Sequence, residues 1–209
     1  MASRPLDAQR QPIALSEISD LARCHRLCLP ETASSRAGVD VLEGLYGALL
    51  ADSAAHVVWH PSAETPHHQG AFAAGTLHYR ATEAQIRRSL RPMLFARLAL
   101  RAASMPMHVL ARRRWENVIP NTGIGYVLTL GSASAVVASS LAPRGRVVLA
   151  ELEEWFVEHG CLASWVDTEL SNQRAHAFYL RTGYVEVSRD FGQVLLQKQL
   201  GPPLANQSL

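Results

Sequence analysis

The stretch Asn172-Gln-Arg-Ala-His-Ala-Phe-Tyr-Leu-Arg-Thr-Gly-Tyr184 is the part of the sequence that decides the fold. Asn172 is a favoured helix N-cap, because its side-chain oxygen can accept from the free N–H groups of the first turn. Gly183 can adopt the left-handed conformation that ends a helix. The residues between them that fall at i, i+3, i+4 and i+7, and so share one face, are Ala175, Phe178, Tyr179 and Thr182. The pattern predicts a short helix that packs closely and carries a phenol on its packed side.

Strand-forming segments flank this helix on both sides. Ala163–Leu170 precedes it, and the β-branched run Tyr184–Val187 follows it. The sequence therefore predicts a strand–helix–strand unit.

The spacing Asn-x-x-Ala-x-x-Phe-Tyr-x-x-x-Gly-Tyr resembles the C-terminal motif of the GCN5-related N-acetyltransferases, and the flanking strands extend the match over most of Trp165–Leu200. The resemblance implies an α/β fold: the acyl-CoA N-acyltransferase fold, with a mixed, mostly antiparallel twisted sheet and helices on both faces. In that family the tyrosine that matches Tyr179 commonly protonates the leaving thiolate of coenzyme A. The asparagine that matches Asn172 lies beside the pantetheine arm.

The composition is that of an ordinary soluble protein. Of 209 residues, 48% are hydrophobic and 18% are charged, with a net charge of only +2. These values predict one domain over residues 11–200, with a flexible arm at 1–10 and a flexible tail at 201–209. The N-terminus is polar and lacks the apolar stretch of a secretory signal, and no apolar run is long enough to span a bilayer. We therefore expect a cytoplasmic protein.

The cysteines do not form a recognisable metal site. Cys24 and Cys28 lie one helical turn apart with His25 between them, but no second Cys or His pair lies at zinc-site spacing. We expect no metal, and small buried thiols at both positions.

The N-terminal half predicts strands and helices in alternation. The expected elements are a first strand at Pro12–Leu15, a helix capped by Ser16 or Ser19 and stopped by Pro30, a helix at Val39–Leu50, and strands at Ala55–His60 and Gly70–Tyr79. By resemblance, the two helices and their loop form one wall of the acceptor site. His25 and Glu31 are therefore candidates to touch the substrate, although a solvated Glu31 is the simpler interpretation.

Residues 80–114 carry nine arginines and a single carboxylate, Glu83. Thr82 and Glu83 suggest a helix start, and we predict a helical insertion over residues 82–118, between the third and fourth strands. Three interpretations stay open: a solvated arginine face, a surface for an anionic partner or for the coenzyme's phosphates, and contact with an anionic membrane through Trp115 and the Leu/Met face. Nucleic acid is not expected, because the block lacks interleaved aromatics and fits no groove-binding motif.

The central strand is predicted at Ile124–Leu130, and backbone N–H groups near Leu130, Gly131 and Ser132 are expected to polarise the thioester carbonyl. The family then has a glycine-rich loop before a helix, where bare N–H groups hold the pyrophosphate. Here that loop is atypical. Either Gly145 is its final glycine, with Ser140 and Pro143 at the other motif positions, or Arg144-Gly145-Arg146 is a displaced Arg–Gly pair before a helix at Val147–Gly160.

The resemblance implies transfer of an acetyl or other acyl group from acetyl-CoA, or another acyl-CoA, to an amine of a small molecule or peptide. The amine attacks directly, Tyr179 is the catalytic acid, and the coenzyme-binding candidates are Leu130, Gly131, Ser132, Arg144, Gly145, Arg146 and Asn172. The base stays open between Glu31, Glu169 and a water chain. The rival hypothesis is a non-catalytic module of the same fold that binds an anionic partner through the arginine-rich insertion.

Overall fold

The computed structural model describes residues 13–62, 69–103, 110–111, 114–115, 118–133 and 141–201. The arm predicted at 1–10 and all but the first residue of the tail predicted at 201–209 lie outside these residues.

The described residues form an alternating series of helices and strands. The helices are α1 (Leu15–Cys28), α2 (Ala33–Ala37), α3 (Val39–Leu50), α4 (Tyr79–Ser89), α5 (Pro92–Ala103), α6 (Leu141–Glu158) and α7 (Gln173–Arg181). Leu110–Ala111 and Arg114–Trp115 are also helical. The strands are β1 (Ala55–Pro61), β2 (Gly70–Thr76), β3 (Ile124–Ala133), β4 (Ala163–Glu169), β5 (Val185–Asp190) and β6 (Gln193–Gln199).

The strands form one six-stranded sheet in the order β1-β2-β3-β4-β6-β5. Only β3 and β4 pair in parallel, and the other neighbours are antiparallel. Helices cover both faces. On one face α6 and α7 pack against Val127 and Val166, and on the other α1 and α3 pack against Phe72 and Trp59. The predicted mixed, mostly antiparallel sheet with helices on both faces is confirmed.

Helix α7, within the Asn172–Tyr184 motif, has the two ends that the sequence predicts. The Asn172 side chain accepts a hydrogen bond from the Ala175 N–H at 3.1 Å. Gly183 has a φ of +94°, and the Tyr184 N–H donates to the Tyr179 carbonyl at 3.0 Å. This bond closes the C-terminal turn across the glycine, as in a Schellman motif.

The start of the chain differs from the prediction. Leu15 begins α1, and Ile13 and Ala14 are not in a strand, so the strand predicted at Pro12–Leu15 is wrong for the described residues. The predicted serine caps are also wrong, because Ala14 is the N-cap. The Glu17 carboxylate accepts from the Ala14 N–H at 2.8 Å and supplies the capping contact from inside the helix.

The second strand is shorter than predicted. It ends at Thr76, and α4 begins at Tyr79, before the predicted start at Thr82. Thr82 is buried in this helix, where its hydroxyl lies 2.7 Å from that of Thr76 and donates to Asp52 at 2.8 Å. A buried hydroxyl network therefore fixes the turn from strand to helix.

The arginine-rich connection runs between β2 and β3, the second and third strands of the described sheet. Trp115 is fully buried, and its indole N–H donates to Asp190 at 3.1 Å, so it is not available for the membrane contact that was one of the three interpretations. Arg114 pairs with Asp190 at 2.9 Å and Arg97 with Asp40 at 2.5 Å. Arg112 and Arg113 lie outside the described residues. The Arg97 and Arg114 side chains are both exposed while they form these ion pairs, which agrees with the interpretation of a solvated arginine face. Among the described residues, no helix has both the length and the apolarity to cross a bilayer.

We predict that Gly125→Ala destabilises the protein. A Cβ at Gly125 would lie 2.2 Å from the Phe156 ring, so α6 would have to move off the sheet. Overpacking of this kind costs about 1 to 3 kcal/mol, which lowers Tm by about 3 to 10 °C in a chain of this size. The matched control is Gly47→Ala in α3, where the new Cβ meets nothing within 4 Å. Calorimetry should show a control Tm at or above that of the parent, because alanine favours helix. Equal Tm values for both variants would contradict the close packing of α6.

Candidate active site between strands β3 and β4

The parallel strands β3 and β4 separate part-way along the sheet. They pair only over Ile124–Val127 and Ala163–Val166. Beyond that point β3 continues to Ala133 against β2, and β4 continues to Glu169 against β6. The facing edges of the two strands are left without each other as partners. An extended ligand can lie in this gap and use their backbone groups, as an added strand would.

A β-bulge at Leu128 begins the separation. Ala74 pairs with Thr129 and Gly75 with Val127, so Leu128 is an extra residue on β3. A bulge bends its strand and increases the local twist. Since Val127 is the last β3 residue that pairs with β4, the gap opens at the bulge itself.

Tyr179 lies on α7 beside this gap and is only 6% exposed. Burial, together with the Asp167 and Glu153 carboxylates, raises the pKa of Tyr179 above its ordinary value. Among the described residues, its hydroxyl forms no hydrogen bond. The phenol therefore keeps its proton at neutral pH and can donate it to a ligand.

Two of the predicted coenzyme-binding residues, Leu130 and Gly145, lie near each other where α6 meets β3. A Cβ at Gly145 of α6 would lie 3.7 Å from the Phe178 ring and 3.9 Å from Leu130. Gly145 thus brings α6 close to both α7 and β3. Asn172, at the start of α7, is exposed, with its side-chain oxygen engaged in the helix cap.

The other predicted residues lie in regular structure rather than in a loop. Gly131 and Ser132 are part of β3, where they pair with Phe72 and Ala71. The following helix begins at Leu141, not near Val147, so Arg144, Gly145 and Arg146 lie inside its first turns. The loop predicted to run from Gly131 to Gly145 is therefore wrong at both ends; residues 134–140 lie outside the described residues.

The two arginines are exposed, and Arg144 is turned toward the edge of the sheet. Its guanidinium lies 3.5 Å from the Ser62 hydroxyl, which follows the edge strand β1. Arg146 follows two positions later on the same helix. Neither guanidinium is buried, so both can change rotamer to meet an anion at the helix start.

Beyond Val127, where β3 pairs with β2 but not with β4, two buried hydroxyls have no hydrogen-bond partner among the described residues: Thr129 Oγ1 and Ser132 Oγ. Their cross-strand partners Ala74 and Ala71 pack in the clusters on opposite faces of the sheet. The two hydroxyls therefore lie on opposite faces of the sheet, both on the strand that borders the gap. A buried hydroxyl without a partner is costly, and a ligand with amide groups fits this pair because it offers both donors and acceptors.

A tyrosine–carboxylate pair joins β3 to β4 where the gap opens, and it was not predicted from the sequence. The Tyr126 hydroxyl donates to Asp167 Oδ1 at 2.5 Å. Asp167 is the first β4 residue beyond the paired segment, so its carboxylate sits where the gap opens. The available signal was the alternation of Trp165 and Asp167 on one strand face, but nothing in the sequence places Tyr126 beside them.

The acidic residues proposed from the sequence lie elsewhere. Glu31 is exposed and pairs with Arg36, and Glu169 accepts from the Ser171 hydroxyl at 3.1 Å at the far end of β4. His25 is buried, with its Nδ1 2.8 Å from the Tyr46 hydroxyl and its ring stacked on Phe72 at 5.3 Å. Burial lowers the pKa of His25 to about 4, so the ring is neutral. These placements leave Asp167 as the carboxylate nearest the bulge.

Comparison with known proteins agrees with this geometry. Residues 144–184, which contain most of α6 and all of β4 and α7, match the model of the Acetyltransferase (GNAT) family. The predicted resemblance to the GCN5-related N-acetyltransferases is confirmed. A search of curated proteins by sequence gives no significant match.

Solved structures of other proteins share the fold over almost the whole chain. An aminoglycoside 6'-acetyltransferase type Ii matches with 13% identity over 92% of this chain and 94% of its own, at a TM-score of 0.54. The PaiA N-acetyltransferase from Thermoplasma acidophilum, solved with coenzyme A, matches with 11% identity over 90% and 96%, at 0.54. A protein named SsHAT matches with 13% identity over 92% and 98%, at 0.57. At these identities the likeness concerns the fold.

We predict that Thr129→Val stabilises the ligand-free protein. The change keeps the shape of the side chain and removes a buried hydroxyl without a described partner, which should raise the free energy of unfolding by about 1 to 2 kcal/mol. The matched control is Thr182→Val, because the Thr182 hydroxyl donates to the Phe178 and Tyr179 carbonyls. Urea unfolding should show the control at or below the parent. A loss of stability in Thr129→Val would show that the hydroxyl is already satisfied.

Proposed function

We propose that the protein is an acyl-CoA-dependent N-acyltransferase that moves an acetyl or other acyl group to an amine by direct attack. The observation that carries the proposal is the gap between β3 and β4, with a buried, protonated phenol on one side and a tyrosine-bound carboxylate on the other. These groups supply a proton donor and a proton acceptor on either side of one bound thioester.

The pantetheine arm fits the gap as an extended segment. It would take backbone hydrogen bonds from the free edge of β3 at Leu130, Gly131 and Ser132, with Asn172 beside it. The hydroxyls of Thr129 and Ser132 would gain the partners that the described residues do not provide. The bulge at Leu128 lies where the gap opens, and the backbone N–H groups that follow it would polarise the thioester carbonyl.

The pyrophosphate would lie at the start of α6. Arg144 and Arg146 are exposed there, and a helix N-terminus adds free N–H groups and a positive dipole. Gly145 sits inside the helix, where its N–H is directed along the helix to the preceding turn. Its role in this proposal is therefore close approach of the arm to Phe178, while the arginines supply the charge.

The reaction needs one bond made and one broken. The amine nitrogen bonds to the thioester carbon, the C–S bond breaks, and its electron pair stays on sulfur. Tyr179 gives its proton to that sulfur. Burial raises the pKa of Tyr179, and the same desolvation in the gap makes the thiolate a stronger base, so the two stay matched.

Asp167 is positioned to take the proton that the amine loses. It lies at the opening of the gap, and Tyr126 holds one of its carboxylate oxygens. As a carboxylate, Asp167 can accept the proton from the amine, directly or through one water. We therefore assign the base to Asp167, in place of Glu31 or Glu169.

Calorimetric titration with acetyl-CoA and with free coenzyme A tests the proposal, followed by an assay of thiol release with a panel of amines. We expect binding of both and amine-dependent release of the thiol. Failure of both ligands to bind would contradict the proposal and favour a non-catalytic module of the same fold. Tight binding without transfer to any amine would contradict the enzyme assignment alone.

We predict that Tyr179→Phe lowers kcat by about ten- to a thousand-fold and leaves the Kd of acetyl-CoA nearly unchanged. The change removes only the hydroxyl, so the ring contacts with Phe178 and Tyr184 remain. The control is Tyr184→Phe, whose hydroxyl lies 2.7 Å from Ser164 inside the core and should not affect proton transfer. An unchanged kcat in Tyr179→Phe across the pH range would remove Tyr179 from the mechanism.

We predict that Asp167→Asn lowers kcat/KM for the amine by about a hundred- to ten-thousand-fold, because the amide cannot accept the proton. Raising the pH should restore part of the rate, since more of the amine is then already neutral. The control is Glu169→Gln, two residues along the same strand. Equal losses in both variants, or a loss in Asp167→Asn that pH does not relieve, would point to a structural role for Asp167.

A further inference from the structure

A cavity of about 220 Å³ opens beside the Tyr126–Asp167 pair, where β2 ends and β3 begins. Its walls are mainly apolar and aromatic: Leu77, Tyr79, Trp115, Ile119, Ile124 and Tyr126. Most of these residues belong to the hydrophobic cluster around Trp115, which packs on Ile124 and Tyr126 of β3. Nothing in the proposed mechanism yet uses this space.

Tyr126 joins the cavity to the reaction centre. One side of its ring lines the cavity, and its hydroxyl donates to Asp167 at 2.5 Å. Tyr126 is followed by Val127, the last β3 residue that pairs with β4. The Tyr126 side chain therefore lies between the cavity and Asp167, the carboxylate that is proposed to take the proton of the amine.

The size of the cavity limits what it can hold. An apolar cavity of about 150 Å³ accepts one benzene molecule, so this one suits a single aromatic ring with a short linker. The Tyr79 and Tyr126 rings lie with centroids 4.5 Å apart and an interplanar angle of 38°, and they present ring surface to such a ligand.

The entrance of the cavity disfavours highly charged amines. His78, Arg80 and Asn121 line the cavity and are exposed. A second ammonium group on a polyamine would come close to the Arg80 guanidinium, and like charges repel at such distances. Among the described residues that line the cavity there is no carboxylate that would compensate a buried second charge.

We propose that this cavity binds the acceptor, a primary amine that carries one aromatic or similarly sized apolar group two or three bonds from nitrogen. The assignment rests on the proposed acyltransferase function and specifies its substrate class. The connection between β2 and β3 then has a role, because it contributes Trp115 and residues 119–121 to the site. The hydrogen bond from Trp115 to Asp190 holds that wall against the sheet.

The first experiment measures binding without coenzyme. Titration with 2-phenylethylamine, followed by tryptophan fluorescence, should give a saturable change, because Trp115 lines the cavity. The same titration of Trp115→Phe should lose that change while Trp59, Trp155 and Trp165 remain as emitters. A saturable change that persists in Trp115→Phe, or no saturation in the parent, would overturn the assignment.

The second experiment compares acceptors in the transfer assay. We expect kcat/KM for 2-phenylethylamine to exceed that for ethylamine and for spermidine by about thirty-fold or more, as burial of a ring in an apolar site provides. Spermidine as the preferred acceptor would overturn the assignment and leave the acyltransferase proposal intact. A higher kcat/KM for a phenylalanine-led tripeptide would equally overturn the small-molecule assignment.

Two variants that change the volume of the cavity give the sharpest test. Ile119→Phe fills the space and should raise KM for 2-phenylethylamine about ten-fold or more, with that for ethylamine unchanged. Tyr79→Ala enlarges it and should move the preference toward 2-(1-naphthyl)ethylamine. An unchanged Kd for acetyl-CoA in both variants shows that they fold. Equal losses of kcat/KM for all amines in both variants would overturn the assignment. Absence of acetyl-CoA binding in the parent would instead overturn the proposed function, and the fluorescence titration would then decide whether the cavity binds an aromatic amine.

Discussion

The extra residue at Leu128 is the constraint on which the site depends. Without it, β3 and β4 would remain paired along their length, since both continue for several residues past Val127 and Val166. The bulge bends β3 away from β4. Since β3 stays paired with β2 and β4 with β6, no other strand pairing is lost. Main-chain groups on its two edges are thereby available to a ligand, in a part of the sheet that is otherwise rigid.

The packing around the gap keeps it open and gives its two sides different chemistry. Gly125 and Gly75 let the Phe156 ring of α6 press directly on the sheet, and Gly145 brings the start of the same helix beside Leu130 and Phe178. On that side the buried Tyr179 retains a proton. On the other side the Trp115 cluster supports Tyr126, which holds Asp167. A single sheet thus separates a proton donor from a proton acceptor, with the opening between them.

Local patterns in the sequence predicted the elements that depend on neighbouring residues. The caps of α7 and the strands on either side of it follow from residue types at fixed spacing, and the helices on both faces follow from the family resemblance. Predictions failed where a distant contact decides. A hydroxyl network among Thr76, Thr82 and Asp52 starts α4 early, and β3 runs through Gly131 and Ser132 because Phe72 and Ala71 pair with them. The predicted cap of α1 failed for a local reason, because Glu17 supplies the capping contact three residues inside the helix.

The sequence by itself determined the fold class, the family resemblance and the position of Tyr179 on the packed face of α7, because each rests on periodicity, capping and a short motif. Only the tertiary structure decided where β3 leaves β4, that Asp167 meets Tyr126, and that Trp115 is buried against Asp190. Each of these joins residues far apart in the chain. A bulge depends on the register of two strands, and a cavity depends on which side chains meet across the sheet; neither is set by the residues next to it in sequence.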